Sequence, residues 1–309
     1  MSGSARVSFS GHETFPFRYT WLKKAVDAVA ADPCAFYAED AMVKLGVGKN
    51  MVSSIRHWGL ATGMLEETAG QRGSRVRPLA PTDLGRSLFL DGGWDPFLED
   101  PGTLWLLHWQ LVNRPERATT WWWVFNQYPG TIFTRADIQE ALGTLGAQSG
   151  WTRVTSASLK RDVDVFIRTY APQRRRNALL EDTLDCPLVE LGVIHASSQQ
   201  QTLVLVRSDH ESLPDAIFAC ALAEYLRRRS SEARTVTLEE LAFGAGAPGR
   251  AFCLDEPGLL GRLDRIETLT DGGVVFDETA GLKQIYVHTA PDPTALLRRY
   301  YDSRSESAP

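Results

Sequence analysis

Residues 39–89 constrain the chain most, because signals for a helix, a tight turn, a second helix and a hairpin follow one another there without a gap. Glu39 to Leu45 predicts one short helix, Gly46-Val47-Gly48 a turn, and Lys49 to Ala61 a longer helix. On that longer helix Met51, Val52, Ile55 and Trp58 share a face at helical spacing. The opposite face is left with Lys49, Asn50, Ser53, Ser54, Arg56 and His57, side chains able to bond phosphate oxygens or base edges. Leu65-Glu66-Glu67 then starts a strand, Gly70 to Ser74 makes a hairpin tip, and Val76 to Leu79 returns, with Arg72, Arg75 and Arg77 in or beside the tip. This is the order of a winged helix, with arginines placed to reach a groove or backbone beside the recognition helix.

A winged helix also serves as a protein-docking module, and any solvated helix shows a polar outer face. Local charge favours the nucleic-acid reading. Lys44 to Arg86 contains seven Lys or Arg and only three acids (Glu66, Glu67, Asp83), a balance of +4 within a chain of net charge -5. Duplex DNA attracts such a patch by counterion release.

The 309 residues suffice for two or three small domains, with a globular composition of 43% hydrophobic and 23% charged residues. Cys34, Cys186, Cys220 and Cys253 are too scattered for a zinc site and read as buried free thiols. The start carries no apolar signal core, and no apolar run is long enough to cross a bilayer. A cytoplasmic location without membrane contact is therefore expected, and the sequence implies no particular oligomeric state.

The expected fold class is mainly α with small β-hairpins (α+β), in multiple winged-helix-like lobes. An amphipathic helix from Arg18 to Ala31 precedes the first lobe, and Pro81-Thr82-Asp83 caps a closing helix through Phe89. Gly92-Gly93 and Asp100-Pro101-Gly102 mark a boundary, which sets a first domain at 1–91. A Trp-rich helical domain follows at 92–172, with helices at Thr103 to Val112 and Ala118 to Tyr128. Trp105, Trp109, Trp121, Trp122 and Trp123 fit a core better than a base-stacking platform, given their apolar neighbours. Phe133 to Leu142 and Ser156 to Tyr170 resemble a second helix-turn-helix. On the latter, Leu159, Val163, Phe166, Ile167 and Tyr170 form the buried stripe, and Lys160, Arg161, Asp162 and Asp164 point elsewhere.

The third domain, 173–309, opens with Arg174, Arg175 and Arg176, which read equally as a solvated loop or a phosphate clamp. A strand pair is expected at Leu191 to His195 and Thr202 to Arg207, and helices at Pro214 to Arg229, Thr237 to Phe243 and Gly258 to Leu269. Thr237 with Glu240 predicts a capping box. A hairpin of Val274 to Asp277 with Gln284 to His288 completes a third winged-helix-like pattern, and Asp292 to Tyr301 closes the chain as a helix.

No phosphate-binding glycine loop, serine elbow or His-Glu-x-x-His helix is present, which removes support for ATPase, esterase and zincin chemistry. Phosphodiester cleavage would then fall to carboxylates and histidines holding Mg²⁺ or Mn²⁺ or activating water. Two places qualify. In Ser10-Gly11-His12-Glu13-Thr14, His12 is a candidate base and Glu13 a candidate cation ligand. The second is the acidic set Glu181, Asp182, Asp185 and Glu190, from which Asp182 and Asp185 are catalytic candidates and Asp182, Asp185 and Glu190 candidate metal ligands. For both places a purely structural role is the stronger reading on residue chemistry alone.

Phe9-Ser10-Gly11-His12-Glu13-Thr14-Phe15-Pro16-Phe17-Arg18 with Trp21-Leu22-Lys23-Lys24 resembles the start of a bacterial family long labelled a domain of unknown function. Leu45 to Val52 and Asp185 to Gly192 are similar to the same family, so the resemblance runs through nearly the whole chain. That family looks like the SspB component of DNA phosphorothioation defence systems. The resemblance implies a protein that binds double-stranded DNA and nicks one strand, so that partners (a cysteine desulfurase, an ATPase and a sulfur-transfer enzyme) can exchange a phosphate oxygen for sulfur. A non-enzymatic DNA-binding adaptor or transcription regulator is the alternative. The resemblance assigns no catalytic residues.

Overall fold

The computed structural model describes residues 7–70, 76–151, 154–172, 186–197, 202–229, 234–279 and 281–305. It is an α+β chain in which helices predominate and the strands form small antiparallel sheets of two or three members. Contacts divide it into two compact units, Met1–Val124 with Pro129–Leu205, and Phe125–Tyr128 with Val206–Pro309. Residues 1–91 and, apart from Phe125–Tyr128, residues 92–172 lie in the first unit, bridged by bonds between the N-terminal segment and residues over a hundred positions away.

The first unit begins with helix α1 (Trp21–Ala31), which buries Trp21, Leu22, Ala25, Val26 and Val29. Short α2 (Ala41–Leu45) ends at Gly46, whose φ of 65° places it in the left-handed region that glycine enters without steric cost. Helix α3 (Lys49–Ala61) follows with the predicted limits. Its Val52, Ile55 and Trp58 are buried as the spacing requires, whereas Met51 is half-buried. Full burial of such side chains contributes about 1.5–3 kcal/mol each. Strands β1 (Leu65–Glu67) and β2 (Leu79–Pro81) pair antiparallel with Leu65 opposite Pro81, and the Leu79 N–H also donates to the Pro33 carbonyl at 2.8 Å. The return strand lies two to three residues later than expected. Thr82 caps α4 (Asp83–Phe89), its hydroxyl accepting from the Gly85 N–H at 3.0 Å.

Helix α5 (Pro101–Val112) is buried on nearly every side, and α6 is Thr119–Asn126. Trp105, Trp109 and Trp121 are at most 1% exposed, so these rings form core and do not present a stacking platform. Strand β3 (Ile132–Phe133) replaces the expected start of the next helix, α7 (Arg135–Gln148), which Thr134 and Asp137 open with a reciprocal capping box. Helix α8 (Ser156–Tyr170) has the predicted limits and the predicted buried stripe, to which Asp162, Val165 and Thr169 are added. Asp162, expected to face outward, is 1% exposed. Residues 187–191 form a 3₁₀ turn, so the strand expected from Leu191 begins only at Ile194, and strands β4 (Ile194–Ala196) and β5 (Leu203–Leu205) join β3 in the order β3-β5-β4.

The second unit holds α9 (Asp215–Arg228), β6 (Thr235–Thr237), α10 (Leu238–Phe243), α11 (Pro248–Ala251), α12 (Glu256–Leu263), α13 (Ile266–Leu269), β7 (Val274–Thr279), β8 (Leu282–Val287) and α14 (Pro293–Ser305). The hairpin β7–β8 gains β6 on its β8 edge. Thr237 caps α10 by accepting from the Glu240 N–H, but the reciprocal half of the expected box is absent; Glu240 instead bonds Arg229 and Tyr225. The single helix expected at 258–269 is broken into α12 and α13. Buried Arg262 reaches the carbonyls of Asp209, His210 and Leu213 at 2.7–3.0 Å and so ties down the loop before α9. Cys186, Cys220 and Cys253 are buried free thiols and Cys34 is half-buried. Burial pushes the Cys253 thiol up to about 12. Among the described residues no helix is long and apolar enough to cross a membrane.

Candidate nucleic-acid interface

Helix α3 presents two different surfaces. Lys49, Asn50 and Ser53 are exposed along its first two turns, and Lys49 has no ion-pair partner among the described residues. The start of a helix is also its positive pole, so these side chains and the dipole act in the same sense toward an anion. Arg77 is exposed at the base of the hairpin. Arg72 and Arg75 of the tip, and Arg174, Arg175 and Arg176, lie outside the described residues.

The remaining polar residues of α3 turn toward the protein. Ser54 is fully buried, and its hydroxyl donates to the His12 carbonyl at 2.9 Å. Half-buried Arg56 pairs with Glu67 at 3.3 Å, and Arg117 reaches the other oxygen of the same carboxylate at 3.5 Å. Arg56 also lies over the Tyr37 ring, 5.5 Å from its centre. These contacts tie α3 to β1, so Arg56 is committed within the fold. His57 packs edge-on against His12 and Trp58. Burial first, then the neighbouring His12, Arg117 and Arg56, push its imidazole down to about 3.

The N-terminal motif explains why this side of α3 is closed. Its chain coils through three non-glycine residues with positive φ, Ser10 (61°), Glu13 (52°) and Thr14 (78°). Such residues persist only where their surroundings hold them, and here Asp162 is the anchor. Its carboxylate accepts from the Ser10 N–H at 2.6 Å, from His12 Nε2 at 2.8 Å and from the Thr120 hydroxyl at 2.5 Å. His12 Nδ1 faces the Thr14 N–H at 3.2 Å, which leaves Nε2–H to donate to Asp162. Further along, the Trp58 indole donates to the Phe15 carbonyl at 2.9 Å, and Arg168 donates to the Thr14 carbonyl. Gly11 is required by proximity, since a Cβ there would lie 2.4 Å from His57 Nδ1. The motif thus joins α3, α6 and α8 around one buried carboxylate.

His12 is 1% exposed with both ring nitrogens engaged, an arrangement that positions helices. Glu13 is exposed, and exposed Glu190 accepts from the Tyr19 hydroxyl. Asp182 and Asp185 lie outside the described residues. Among the described residues no three His, Cys, Asp or Glu side chains converge as a metal cage would require, and the Asp162 oxygens already hold three donors. Glu13 and Glu190, the two cation-ligand candidates among the described residues, thus form no cation cage with other described residues. Sequence patterning missed Asp162, Thr120 and Arg117. The available signal was Asp162 itself, a carboxylate three residues from Leu159 and four from Phe166, within the apolar stripe of α8.

The family model for a protein of unknown function, DUF4007, matches residues 9–301. The chain is similar to a crystal structure of SspB with bound magnesium ion, at 34% identity and a TM-score of 0.87, covering 96% of this chain and 88% of that one. It is also similar to a second SspB crystal structure, at 33% identity and a TM-score of 0.88, covering 97% and 90%. No curated protein matches it. The matched span includes the N-terminal motif, α3 and α8, and on these grounds the chain belongs to the DUF4007 family, with a fold like that of SspB.

Proposed function

We propose that this protein is the DNA-binding component of a bacterial DNA phosphorothioation system and that it supports nicking of one strand for sulfur incorporation. The likeness to SspB supports the system. The observation that carries DNA binding is the outer face of α3: Lys49, Asn50 and Ser53 are exposed at its positive pole, while its inner face is fixed by Trp58, Ser54 and the N-terminal motif. In this reading residues 39–89 act as a winged helix, α2 and α3 forming the helix-turn-helix and β1–β2 the base of the wing, with Arg77 toward the flanking phosphates. Partners would be the desulfurase, ATPase and sulfur-transfer enzymes of such a system.

One of the SspB relatives binds a magnesium ion. In this chain a cation would supply charge neutralisation at the scissile phosphate, and the residues to test are Glu13, Asp182, Asp185 and Glu190. Incubation of the protein with supercoiled plasmid and Mg²⁺ or Mn²⁺ should yield open circles, and Ala at these positions should abolish them while duplex binding persists. A second reading, a non-enzymatic adaptor, is favoured by the enclosure of His12. It predicts duplex binding with no open circles at any metal concentration, alone or with the partner enzymes.

A further inference from the structure

We propose that a cavity between α7 and α8 receives one unstacked base of the bound DNA strand, an inference that rests on the DNA-binding reading above. The cavity has a volume of about 420 Å³ and is walled by Gln139, Gly143, Gly146, Trp151, Ser156 and Leu159. That size and make-up, apolar with a few polar groups, are those of a small-molecule site. Gln139, Gly143 and Gly146 recur at helical spacing and so share one face of α7. A Cβ at 146 would lie 3.0 Å from the Trp151 ring, a tight contact, whereas a Cβ at 143 would meet only Leu159 at 4.0 Å. After α7, Gly150 at φ 68° turns the chain back so that the Trp151 N–H donates to the Gly146 carbonyl at 2.9 Å. Phe9 braces the indole from 5.5 Å.

The charges around the cavity indicate what fills it. Ser156 is the first residue of α8, and exposed Lys160 is one turn further along the same face. Lys160 has no ion-pair partner among the described residues. The N-terminal pole of α8 adds a positive field at the same end. An apolar ligand would make no use of these groups, but a nucleotide would: its base fits the aromatic wall, with the Gln139 amide and Ser156 hydroxyl at its edge, and its phosphate meets Lys160. Stacking of this kind tolerates any base, which suits a strand-opening role independent of sequence.

The test compares a fluorescent single-stranded oligonucleotide with an abasic strand of equal length, titrated onto the wild type, Ala147→Phe and Trp151→Ala. Ala147 is an exposed α7 residue that lines the cavity, so Phe there fills the space without removing an existing contact. The wild type should prefer the base-bearing strand by about tenfold or more. Ala147→Phe should erase that preference and leave the abasic affinity and the melting temperature unchanged, and Trp151→Ala should reduce the preference in the same direction. A preference retained by Ala147→Phe, or equal binding of both strands by the wild type, overturns the base site alone. Failure of the wild type to bind either strand or duplex overturns the DNA-binding reading, and the base site with it.

Discussion

Replacing Asp162 by Ala tests whether the N-terminal motif is a strut. The carboxylate is nearly inaccessible and serves three donors, the Ser10 N–H, His12 Nε2 and the Thr120 hydroxyl, at 2.5–2.8 Å. Removing it leaves all three without an acceptor in a dry environment. One orphaned buried donor costs about 1–3 kcal/mol, and breaking a buried charged contact typically costs about 3–5 kcal/mol. Because the three donors share one acceptor, their costs do not simply add, and a loss of about 4 kcal/mol is expected. The unit involved has about two hundred residues, for which each kcal/mol moves the melting temperature by roughly 2–4 °C. Thermal unfolding should therefore shift down by about 10 °C. Duplex affinity should fall too, since the His12 carbonyl that holds Ser54 of α3 depends on the same anchor. The slope of affinity against salt should stay the same, because no phosphate contact is removed. A shift under about 2 °C, or a changed salt slope with normal stability, would refute the strut.

His12→Ala should lower stability by about 2–4 kcal/mol, read by urea unfolding; a variant that loses nicking at full stability would instead make His12 catalytic. For His57 the folded value of about 3 lies below the ordinary 6.5, so below pH 6.5 the unfolded chain takes up a proton that the folded chain refuses. Its contribution is complete above pH 6.5 and is lost as pH falls toward 3, at about 1.4 kcal/mol per pH unit; His57→Gln should flatten that part of the stability profile. Gly11→Ala should destabilise by about 1–3 kcal/mol because its methyl would meet the packed His57 ring, and a neutral result in calorimetry would remove the close approach. Thr82→Ala should cost about 1 kcal/mol through loss of the α4 cap, with DNA affinity unchanged.

Local signals carried much of this fold. Lys49–Ala61 and Ser156–Tyr170 have the helix limits that apolar periodicity and, for the first, the Gly46-Val47-Gly48 turn imply. Patterning failed where partners are remote. Ser54 looks like a surface residue until the His12 carbonyl, 42 residues away in sequence, arrives to accept from it. Asp162 was assigned outward because carboxylates rarely enter a core, and its three donors come from two other segments. Leu191, expected to start a strand, instead ends a 3₁₀ turn opened by Pro187, and β3 pairs with a strand some seventy positions later. Of the candidate site, the exposed part of α3 was legible, while the inward commitment of Arg56 and His57 depended on Glu67, Arg117 and the folded N-terminal motif.

Duplex binding by the outer face of α3 is measured most directly by titrating a labelled duplex with wild type and Lys49→Ala over a series of salt concentrations. Wild-type affinity should fall steeply with salt, and Lys49→Ala should weaken binding to every sequence alike and reduce the slope by about 1. A wild type without measurable duplex affinity, or a Lys49→Ala variant with unchanged affinity and slope, would contradict the account.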